Sequence, residues 1–462
     1  MEKKTHDIVI IGAGPGGYVA AIRAAQAGMD VACVERFERL GGTCLNVGCI
    51  PSKALLEASE RFVAARDHLA EFGLRAEGVS FDVAAVQKRK DAVVDGLTKG
   101  VAFLFKKNKV HRYAGRAKLL GGGRVLVGGV EPVELEAKSI VIATGSKASS
   151  IPGVAFDGAR IGTSTEALAY AEVPKRLVVI GAGVIGLELG SVWRRFGAEV
   201  TVVEYMDRVL PEMDAEISRH AQRLLKRQGL AFHLGARVTG ARFDGVECVV
   251  EVEGMEPLRG DRVLVATGRA PRTDGLGLEE AGVRLDARGR VEVDGDFRTS
   301  APGVYAIGDV IGGAMLAHKA SEEGVACVER IAGLEGHVDY EVIPAVVYTS
   351  PEIASVGRTQ DALEKAGVPF KTGAFPFKAN GRATAHGEND GLAKVIAHAE
   401  TDAILGVHVI GPWASELIGQ AAVAMSARMT AARFAQVCAA HPTLSESLRE
   451  AALAVSGKAL HA

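Results

Sequence analysis

Two stretches of this chain share one order of apolar and polar positions. Each begins with an apolar run typical of a strand, passes through a glycine-rich turn and a helical stretch, and ends in a second apolar run that closes on a glutamate. The copies span residues 7–35 and 176–204, and the glutamate lies equally far from the first glycine in both. The pattern predicts two strand–turn–helix–strand units.

Both turns read Gly-x-Gly-x-x-Gly. The first glycine permits a tight turn, the second lets a pyrophosphate approach the backbone, and the third lets helix and strand pack closely. The helix N-terminus offers free N–H groups to phosphate, and the final glutamate can bond a ribose. One such turn can arise by chance, but two complete units predict one flavin and one nicotinamide dinucleotide. The expected contacts are Gly12, Gly14, Gly17 and Glu35 for FAD, and Gly181, Gly183, Gly186 and Glu204 for NAD.

Three further strand-to-turn segments indicate how the chain passes between nucleotide domains. Ile140–Gly145 and Val263–Gly268 each follow one unit and have the character of crossing points, which adds Gly145 to the FAD contacts and Gly268 to the NAD contacts. Gly303–Asp309 resembles a second flavin motif, whose aspartate binds the ribityl chain. We therefore predict an α/β fold with two Rossmann-type dinucleotide-binding domains, for FAD and NAD, in which the NAD domain is inserted into the FAD domain.

The tail has no further glycine fingerprint. Strand-like stretches at Leu392–Ile396 and Ile404–Ile410 precede a helical stretch from Glu416 to Met429, which predicts an α+β domain. The predicted divisions are 1–148 for the first part of the FAD domain, 149–275 for the NAD domain, 276–342 for the second part of the FAD domain, and 343–462 for the C-terminal domain.

Bulk composition narrows the class of protein. The chain has 462 residues, 48% of them hydrophobic and 24% charged, and its formal net charge of −2 gives no sign of nucleic-acid affinity. We find no run of uncharged apolar residues long enough to predict a membrane span. The polar start runs almost at once into a strand, without a pattern typical of a signal or transit peptide, so a cytoplasmic protein is expected.

The cysteine pair Cys44 and Cys49 offers the most specific chemistry. On an ideal helix their Cα atoms would be about 8.6 Å apart, whereas a disulfide needs about 4.4–6.8 Å. The helix must therefore be distorted if they are bonded, and Gly48 and Pro51 permit this. A small strained ring is easily reduced, which suits a redox disulfide better than a structural one. Two inert thiols, or a zinc site, are the alternatives.

Other cysteines and histidines are expected to be structural. Cys33, Cys327 and Cys438 lie in strand or helical patterns and are interpreted as small core hydrophobes. His68, His111 and His233 are interpreted as surface or packing residues. No second Cys/His cluster has the spacing of a zinc site, so no metal is expected.

The segment Gly41–Lys53 resembles the redox segment of the two-cysteine pyridine nucleotide–disulfide oxidoreductases, and the likeness extends over essentially the whole chain. Leu45 and Ser52 favour the branch that oxidises dihydrolipoamide, because glutathione reductases typically have Val and Lys there. Three further segments are similar to that branch: Val184–Gly190, Met315–Ala320 and His441–Glu446.

The resemblance implies a role for each matching residue. Cys44 exchanges with lipoamide, and Cys49 faces the flavin as a thiolate. His441 is the acid/base that Glu446 orients. The remaining implied contacts are a Lys53–Glu188 pair beside the flavin N5 region, with Asp309 and the backbone near Ala317 and His318 holding FAD.

His441 can also be argued from chemistry. A dithiol is mostly protonated at neutral pH, and a neutral imidazole can accept its proton while a carboxylate fixes the tautomer. Without the resemblance, a capping or core histidine would be the favoured interpretation of His441, and an ordinary solvated lysine would remain open for Lys53. Ala439 and Ser350 depart from the family, which often has histidine at both positions.

The expected activity is oxidation of protein-bound dihydrolipoamide with reduction of NAD⁺, in a homodimer whose C-terminal domain is the dimerisation domain. Its partners would be lipoyl domains of 2-oxo acid dehydrogenase complexes or of the glycine cleavage system. The alternatives are a related glutathione or mercuric ion reductase, and a redox-inert flavoprotein assembly subunit. Glu204 favours NAD, because relatives that use NADPH usually have Arg there; the chain also lacks a C-terminal cysteine pair typical of mercuric reductases.

Overall fold

A computed structural model describes residues 2–129 and 131–461 of the chain. Among these residues no helix combines the length and the apolar character needed to cross a membrane. The helices, in chain order, are α1 (Pro15–Gln26), α2 (Gly42–Val47), α3 (Cys49–Val63), α4 (Val83–Lys107), α5 (Ser164–Ala167), α6 (Val184–Arg195), α7 (Ala215–Arg227), α8 (Ala317–Ile331), α9 (Gln360–Ala366), α10 (Gly381–His386), α11 (Ala414–Ser426), α12 (Ala431–Ala435) and α13 (Glu446–Ala454).

The strands alternate with helices around the two glycine turns, and elsewhere several strands follow one another directly. In chain order they are β1 (Glu2–Ile11), β2 (Val31–Glu35), β3 (His111–Ala114), β4 (Arg116–Gly121), β5 (Arg124–Gly128), β6 (Val133–Ile142), β7 (Ser146–Ala148), β8 (Ile161–Gly162), β9 (Arg176–Ile180), β10 (Glu199–Val203), β11 (Leu230–His233), β12 (Val238–Phe243), β13 (Cys248–Val252), β14 (Leu258–Gly260), β15 (Arg262–Val265), β16 (Arg269–Pro271), β17 (Val304–Ala306), β18 (Ala345–Val347), β19 (Glu352–Gly357), β20 (Phe370–Pro376), β21 (Leu392–His398) and β22 (Ile404–Gly411).

The first compact unit comprises Met1–Ala54, Gln87–Ser149 and Gly268–Val338. Its main sheet has the order β3-β2-β1-β6-β5-β4, and β17 pairs with β6. The pairs that join β1, β2, β3, β6 and β17 are parallel. Because both faces of these central strands are covered, Ile8–Ile11 are all buried instead of alternating.

The second compact unit comprises Leu55–Val86, Ser150–Thr267 and Asp339–Ala462. It contains a parallel sheet of order β11-β10-β9-β15-β8 and the antiparallel strands β12–β14. It also contains an antiparallel sheet of order β18-β19-β22-β21-β20, whose apolar side chains pack with those of α11 and α13. The predicted fold class, two Rossmann-type sheets and an α+β part, is confirmed.

Element boundaries differ only locally from those predicted. The helix predicted over 416–429 is α11, which begins two residues earlier and ends at Ser426. Its end is displaced because the chain turns at Ala427 and Arg428, where the backbone of Arg428 has φ 51°. β21 and β22 contain the two strand stretches predicted for the tail.

Candidate active site

The first glycine turn leaves no room for side chains at two of its three glycines. Gly12 has φ +106°, and a Cβ there would lie 2.4 Å from the carbonyl oxygen of Ala143. A Cβ on Gly17 would lie 1.8 Å from the oxygen of Gly12. Gly14 instead precedes α1 with no side-chain cap, so the first N–H groups of the helix are available to a phosphate. This geometry fits a dinucleotide pyrophosphate.

The second turn repeats this geometry in the second unit. Gly181 has φ +107°, and its Cβ would lie 2.5 Å from the oxygen of Ala266. A Cβ on Gly186 would lie 2.1 Å from the oxygen of Gly181, whereas Gly183 has open space beside it. The same arrangement of two crowded glycines and one accessible glycine therefore occurs twice.

The glutamate that ends each unit also accepts a hydrogen bond from its own glycine turn, which the sequence did not predict. Oε2 of Glu35 accepts a hydrogen bond of 2.9 Å from the N–H of Ala13, which is inside the glycine turn. Oε2 of Glu204 accepts the equivalent bond, 2.6 Å long, from Ala182. Each glutamate thus holds its own turn in shape, in addition to the ribose contact that the sequence predicts.

The segment that carries Cys44 begins directly against the first glycine turn. Gly42 has φ +57°, and a Cβ there would lie 2.6 Å from Cα of Gly14. The N–H of Gly41 donates to the carbonyl of Ala13 over 2.8 Å. The backbone at the start of α2 is therefore fixed to the predicted pyrophosphate site.

The helix is interrupted between the two cysteines, in agreement with the expected distortion. α2 ends at Val47, and α3 begins at Cys49. A Cβ on the intervening Gly48 would lie 2.9 Å from the carbonyl oxygen of Thr43, so the break is closely packed. Pro51 lies in the first turn of α3, where its missing N–H removes no helical hydrogen bond.

Cys44 and Cys49 are both in the thiol form, and their side chains are hydrogen-bonded to each other. This bond, burial and the charge of Cys49 raise the pKa of Cys44, and the nearby Lys53 ammonium lowers it in part. Because a negative charge on Cys49 opposes ionisation of Cys44, the two thiols do not readily ionise together. The pair can hold one proton and one thiolate.

The contacts of Asp309 could not be predicted from the sequence. Oδ2 of Asp309 accepts a 2.5 Å hydrogen bond from the Ser146 hydroxyl, which in turn accepts one of 2.7 Å from Arg269. Ser146 lies just past Gly145, which has φ +72°. Asp309, which ends the segment Gly303–Asp309, is therefore held to the residue that directly follows the segment Ile140–Gly145.

A buried ion pair holds the loop around Asp309. Lys319 and Glu323 are 1% and 0% exposed, and their charged atoms are 2.9 Å apart. Glu323 accepts a 2.8 Å hydrogen bond from the N–H of Gly308, and Lys319 donates to the carbonyl of Gly312 over 3.0 Å. The pair thus holds both ends of the loop. The i, i+4 charge spacing is visible in the sequence, but its burial is not.

α8 lies against α1: a Cβ on Gly16 would lie 3.0 Å from the carbonyl oxygen of Ala320 and 3.3 Å from its Cβ. Ala317 and His318 are at the N-terminal end of α8, which has no side-chain cap. His318 is exposed. These residues and the glycine turn belong to the same compact unit.

His441 and Glu446 are brought together in the second unit. Nδ1 of His441 lies 2.9 Å from Oε1 of Glu446, and Oε2 of Glu446 accepts a 2.8 Å hydrogen bond from the N–H of Thr443. Partial burial acts to raise the pKa of Glu446, but the Thr443 N–H and His441 outweigh it, so the pKa is lowered. Glu446 therefore stays ionised and leaves Nε2 of His441, whose side chain is 79% exposed, for a substrate proton.

Asn380 supports the His441 loop and was missed by the sequence analysis. Its buried amide donates to the carbonyl of Thr443 over 2.9 Å and to the hydroxyl of Ser447 over 3.0 Å. Its amide oxygen caps α10. No local pattern links position 380 to position 443, so this contact requires the tertiary fold.

Glu188 is buried on α6 and accepts a 2.9 Å hydrogen bond from the N–H of Tyr348. Its pairing with Lys53, which is in the other compact unit, stays a prediction.

The expectation that Cys438 is a core residue is wrong. α12 ends at Ala435, so Cys438 lies beyond the helix, in an exposed segment without regular secondary structure.

Comparison with known proteins gives the family. Residues 6–324 match the model described as "Pyridine nucleotide-disulphide oxidoreductase", and residues 343–452 match its dimerisation domain. The chain belongs to the pyridine nucleotide–disulphide oxidoreductase family. As a member of that family it is an NAD-dependent flavoprotein oxidoreductase that uses FAD and NAD(H).

Curated relatives cover nearly the whole chain. Dihydrolipoyl dehydrogenase 3 of Pseudomonas aeruginosa is 53% identical, over 99% of both chains. Mitochondrial dihydrolipoyl dehydrogenase of Pisum sativum is 51% identical, over 99% of this chain and 92% of its own. Leghemoglobin reductase of Glycine max is 50% identical, over 98% of this chain and 88% of its own.

Solved structures show the same fold. LpdA from Mycobacterium tuberculosis has a TM-score of 0.90 at 29% identity, over 98% of this chain and 99% of its own. The flavoprotein disulfide reductase RclA from Escherichia coli has a TM-score of 0.86 at 28% identity, over 96% of this chain and 99% of its own.

Proposed function

We propose that this family member oxidises protein-bound dihydrolipoamide to lipoamide through Cys44 and Cys49 and reduces NAD⁺ to NADH. The observation that carries the proposal is the thiol pair fixed against the first glycine turn, with Lys53 near Cys44. The dihydrolipoyl dehydrogenases at about 50% identity support the choice of substrate.

The cysteines have different roles. Cys44 exchanges with the substrate, and Cys49 is the thiolate that faces the flavin. The raised pKa of Cys44 supports this assignment, because its hydrogen bond with Cys49 and its burial both favour the protonated form of Cys44. Lys53 stabilises the negative charge on the pair.

His441 starts the reaction by taking a proton from one thiol of dihydrolipoamide at Nε2, and Glu446 stabilises the resulting imidazolium. The substrate thiolate attacks Sγ of Cys44 in the oxidised pair, the S–S bond breaks, and its electron pair passes to Cys49. The second substrate thiol attacks the substrate sulfur of the mixed disulfide, the bond to Cys44 breaks, and Cys44 leaves as a thiol that takes the second proton. The substrate loses two electrons and two protons: the cysteine pair gains the electrons, one proton is on His441 and the other on Cys44.

Chemistry beyond thiol exchange requires the cofactors. When bound, FAD would supply the two-electron chemistry that connects the reduced cysteine pair with NAD⁺. Residues of this chain would hold the two groups: Gly12, Gly14, Gly17, Glu35, Lys53, Gly145, Asp309, Ala317 and His318 for FAD, and Gly181, Gly183, Gly186, Glu204 and Gly268 for NAD. Lys53 and Glu188 would form a pair beside the flavin N5 region.

The domains follow from these roles. Residues 1–148 and 276–342 form the FAD domain, 149–275 the NAD domain, and 343–462 the interface domain of a homodimer. The pairing of β17 with β6 supports the return of the chain to the FAD domain. Exposed apolar side chains support an interface in the last segment: Trp413, Val423, Val437 and Leu460.

The homodimer would share its active sites, with His441 and Glu446 of one chain completing the cysteine site of the other. The exposure of His441 supports this arrangement. Lipoyl domains of a 2-oxo acid dehydrogenase complex or of the glycine cleavage system would be the partners, in the cytoplasm.

A steady-state assay tests the substrate. Oxidation of dihydrolipoamide by NAD⁺ or NADP⁺ is compared with reduction of glutathione disulfide by NADH or NADPH, on the purified FAD-loaded enzyme. We expect turnover with dihydrolipoamide, at least about tenfold more efficient with NAD⁺ than with NADP⁺, and little reduction of glutathione disulfide. Comparable or faster turnover in the glutathione reaction would reject the proposed substrate and favour a sister reductase.

A further inference from the structure

A cluster of metal-ligating side chains lies outside the site described above. His6 on β1, Asp30 just before β2 and His111 at the start of β3 each offer one ligand atom, and these atoms lie within 4.8 Å of one another. Nδ1 of His6 is 2.8 Å from Oδ2 of Asp30, and Nε2 of His111 is 3.2 Å from Oδ1 of Asp30. Two imidazoles therefore face one carboxylate.

We propose that His6, Asp30 and His111 form a binding site for a divalent transition metal, with Zn²⁺ as the ion that fits best. Two imidazole nitrogens and one carboxylate oxygen are a ligand set that Zn²⁺ accepts, with water in the fourth position. Bond lengths near 2.05 Å place tetrahedral ligand atoms about 3.3 Å apart. The two histidine–aspartate separations, 2.8 and 3.2 Å, are near this value, and all three ligand atoms lie within 4.8 Å of one another, so side-chain movements can bring them onto one ion.

Backbone pairing fixes where the three ligands lie. The parallel register of β1 with β2 aligns Ile8 with Val31, and that of β2 with β3 aligns Ala32 with His111. The N–H groups of Asp7 and Ile8 both donate to the carbonyl of Asp30, over 2.9 and 3.3 Å. The ligands are therefore placed by the sheet, not by flexible loops.

Tyr113 supplies the outer contact expected at a metal-bound histidine. Its hydroxyl lies 2.9 Å from Nε2 of His6, and the His6 side chain is 5% exposed. If Nε2 carries the proton, it donates to Tyr113 and leaves Nδ1 free to bind the ion. Such contacts fix the tautomer and the ring orientation of metal ligands.

The site is open on one side and remote from the redox chemistry. His6 and Asp30 line a pocket of about 530 Å³, through which water can reach the ion. His6 is on β1, and Gly12 directly follows this strand, six positions later. Six residues of extended chain place the two about 20 Å apart. A metal there would link β1, β2 and β3 at the end of the sheet opposite the glycine turn. The ligands come from distant parts of the sequence, which explains why no motif indicated them.

Zn²⁺ binding tests the proposal. The oxidised holoenzyme, with its exposed Cys438 alkylated, is titrated with Zn²⁺ in equilibrium dialysis, and bound metal is measured together with Tm. We expect one Zn²⁺ per chain at this site and a Tm that rises with Zn²⁺, because a ligand that binds the folded state stabilises it.

Three variants test whether the metal binds at this site or at other histidines. His111→Ala should weaken binding at this site at least about tenfold, and Tyr113→Phe, which retains all three ligands, should weaken it by a similar factor. His68→Ala is the matched control, because exposed His68 also contacts a carboxylate, Glu71, over 3.0 Å. Binding that is unchanged in both His111→Ala and Tyr113→Phe would overturn the proposal, as would equal losses in all three variants.

Discussion

Single residues determine the direction of the proposed thiol chemistry. Cys44 is half-buried, whereas Cys49 is exposed. The pKa of the Tyr18 phenol is raised, first by burial and second by the nearby charge of Cys44. Lys53 lowers the pKa of Cys44 against the larger effects of its hydrogen bond with Cys49 and of burial. The two sulfurs thus have unequal surroundings, which agrees with unequal roles.

Serine variants test this asymmetry. Cys44→Ser should reduce lipoamide turnover at least about a thousandfold, as expected when a member of a catalytic unit is lost, but should leave a Cys49 thiolate that gives long-wavelength absorbance with oxidised FAD. Cys49→Ser should lose both turnover and absorbance. Absorbance in Cys49→Ser but not in Cys44→Ser would reverse the assignment. Cys438→Ser, at the other exposed cysteine, is the control.

Glu204 should set the choice of nicotinamide. Its carboxylate would repel the 2′-phosphate of NADP⁺, and like charges cost several kcal/mol, so kcat/KM should be at least about tenfold lower with NADP⁺. Glu204→Gln should lower the ratio of kcat/KM with NAD⁺ to kcat/KM with NADP⁺. Glu199→Gln, at the exposed start of the strand that Glu204 follows, should leave this ratio unchanged. Equal kcat/KM for both cofactors in the wild type would refute this role.

At the scale of elements, the glycine turns and their flanking strands were predictable because their patterns are local. Gly12 and Gly181 need positive φ, and no side chain fits at Gly17 or Gly186. The break at Gly48 also followed from the sequence, because an unbroken helix keeps cysteines five positions apart too distant for a disulfide. The Lys319–Glu323 pair could not be predicted, since charged residues at this spacing are usually solvated.

The Lys319–Glu323 pair should determine how firmly the enzyme retains FAD. Glu323→Gln leaves a buried ammonium without its charge partner, which costs about 3–5 kcal/mol, and should release FAD on dialysis and lower Tm. Glu322→Gln, at the exposed neighbour on α8, should change neither.

A double variant separates retention of FAD from stability. Lys319→Met with Glu323→Leu removes both charges, so Tm should recover in part, but the hydrogen bond to Gly308 is still lost. We expect FAD to dissociate faster than from the wild type. Wild-type FAD retention in the double variant would show that the pair acts only through stability.

For the whole molecule, the sequence predicted the order of domains but not where the tail lies. Residues 44–49 and 441–446 are at opposite ends of the chain, and no pattern in the sequence indicates which chain the tail approaches. Within the second unit, long-range contacts such as Asn380 with Thr443 build the His441 loop. These contacts depend on packing between distant segments, which single-sequence patterns do not record.

Complementation tests the central claim most directly, namely that Cys44 and His441 act together in a site shared between two chains. Cys44→Ser and His441→Gln chains are unfolded, mixed and refolded with FAD, and lipoamide turnover is measured. Random pairing makes half the dimers mixed, each with one intact site, so activity should return to about a quarter of wild type. Absence of recovery in proven mixed dimers would contradict the account.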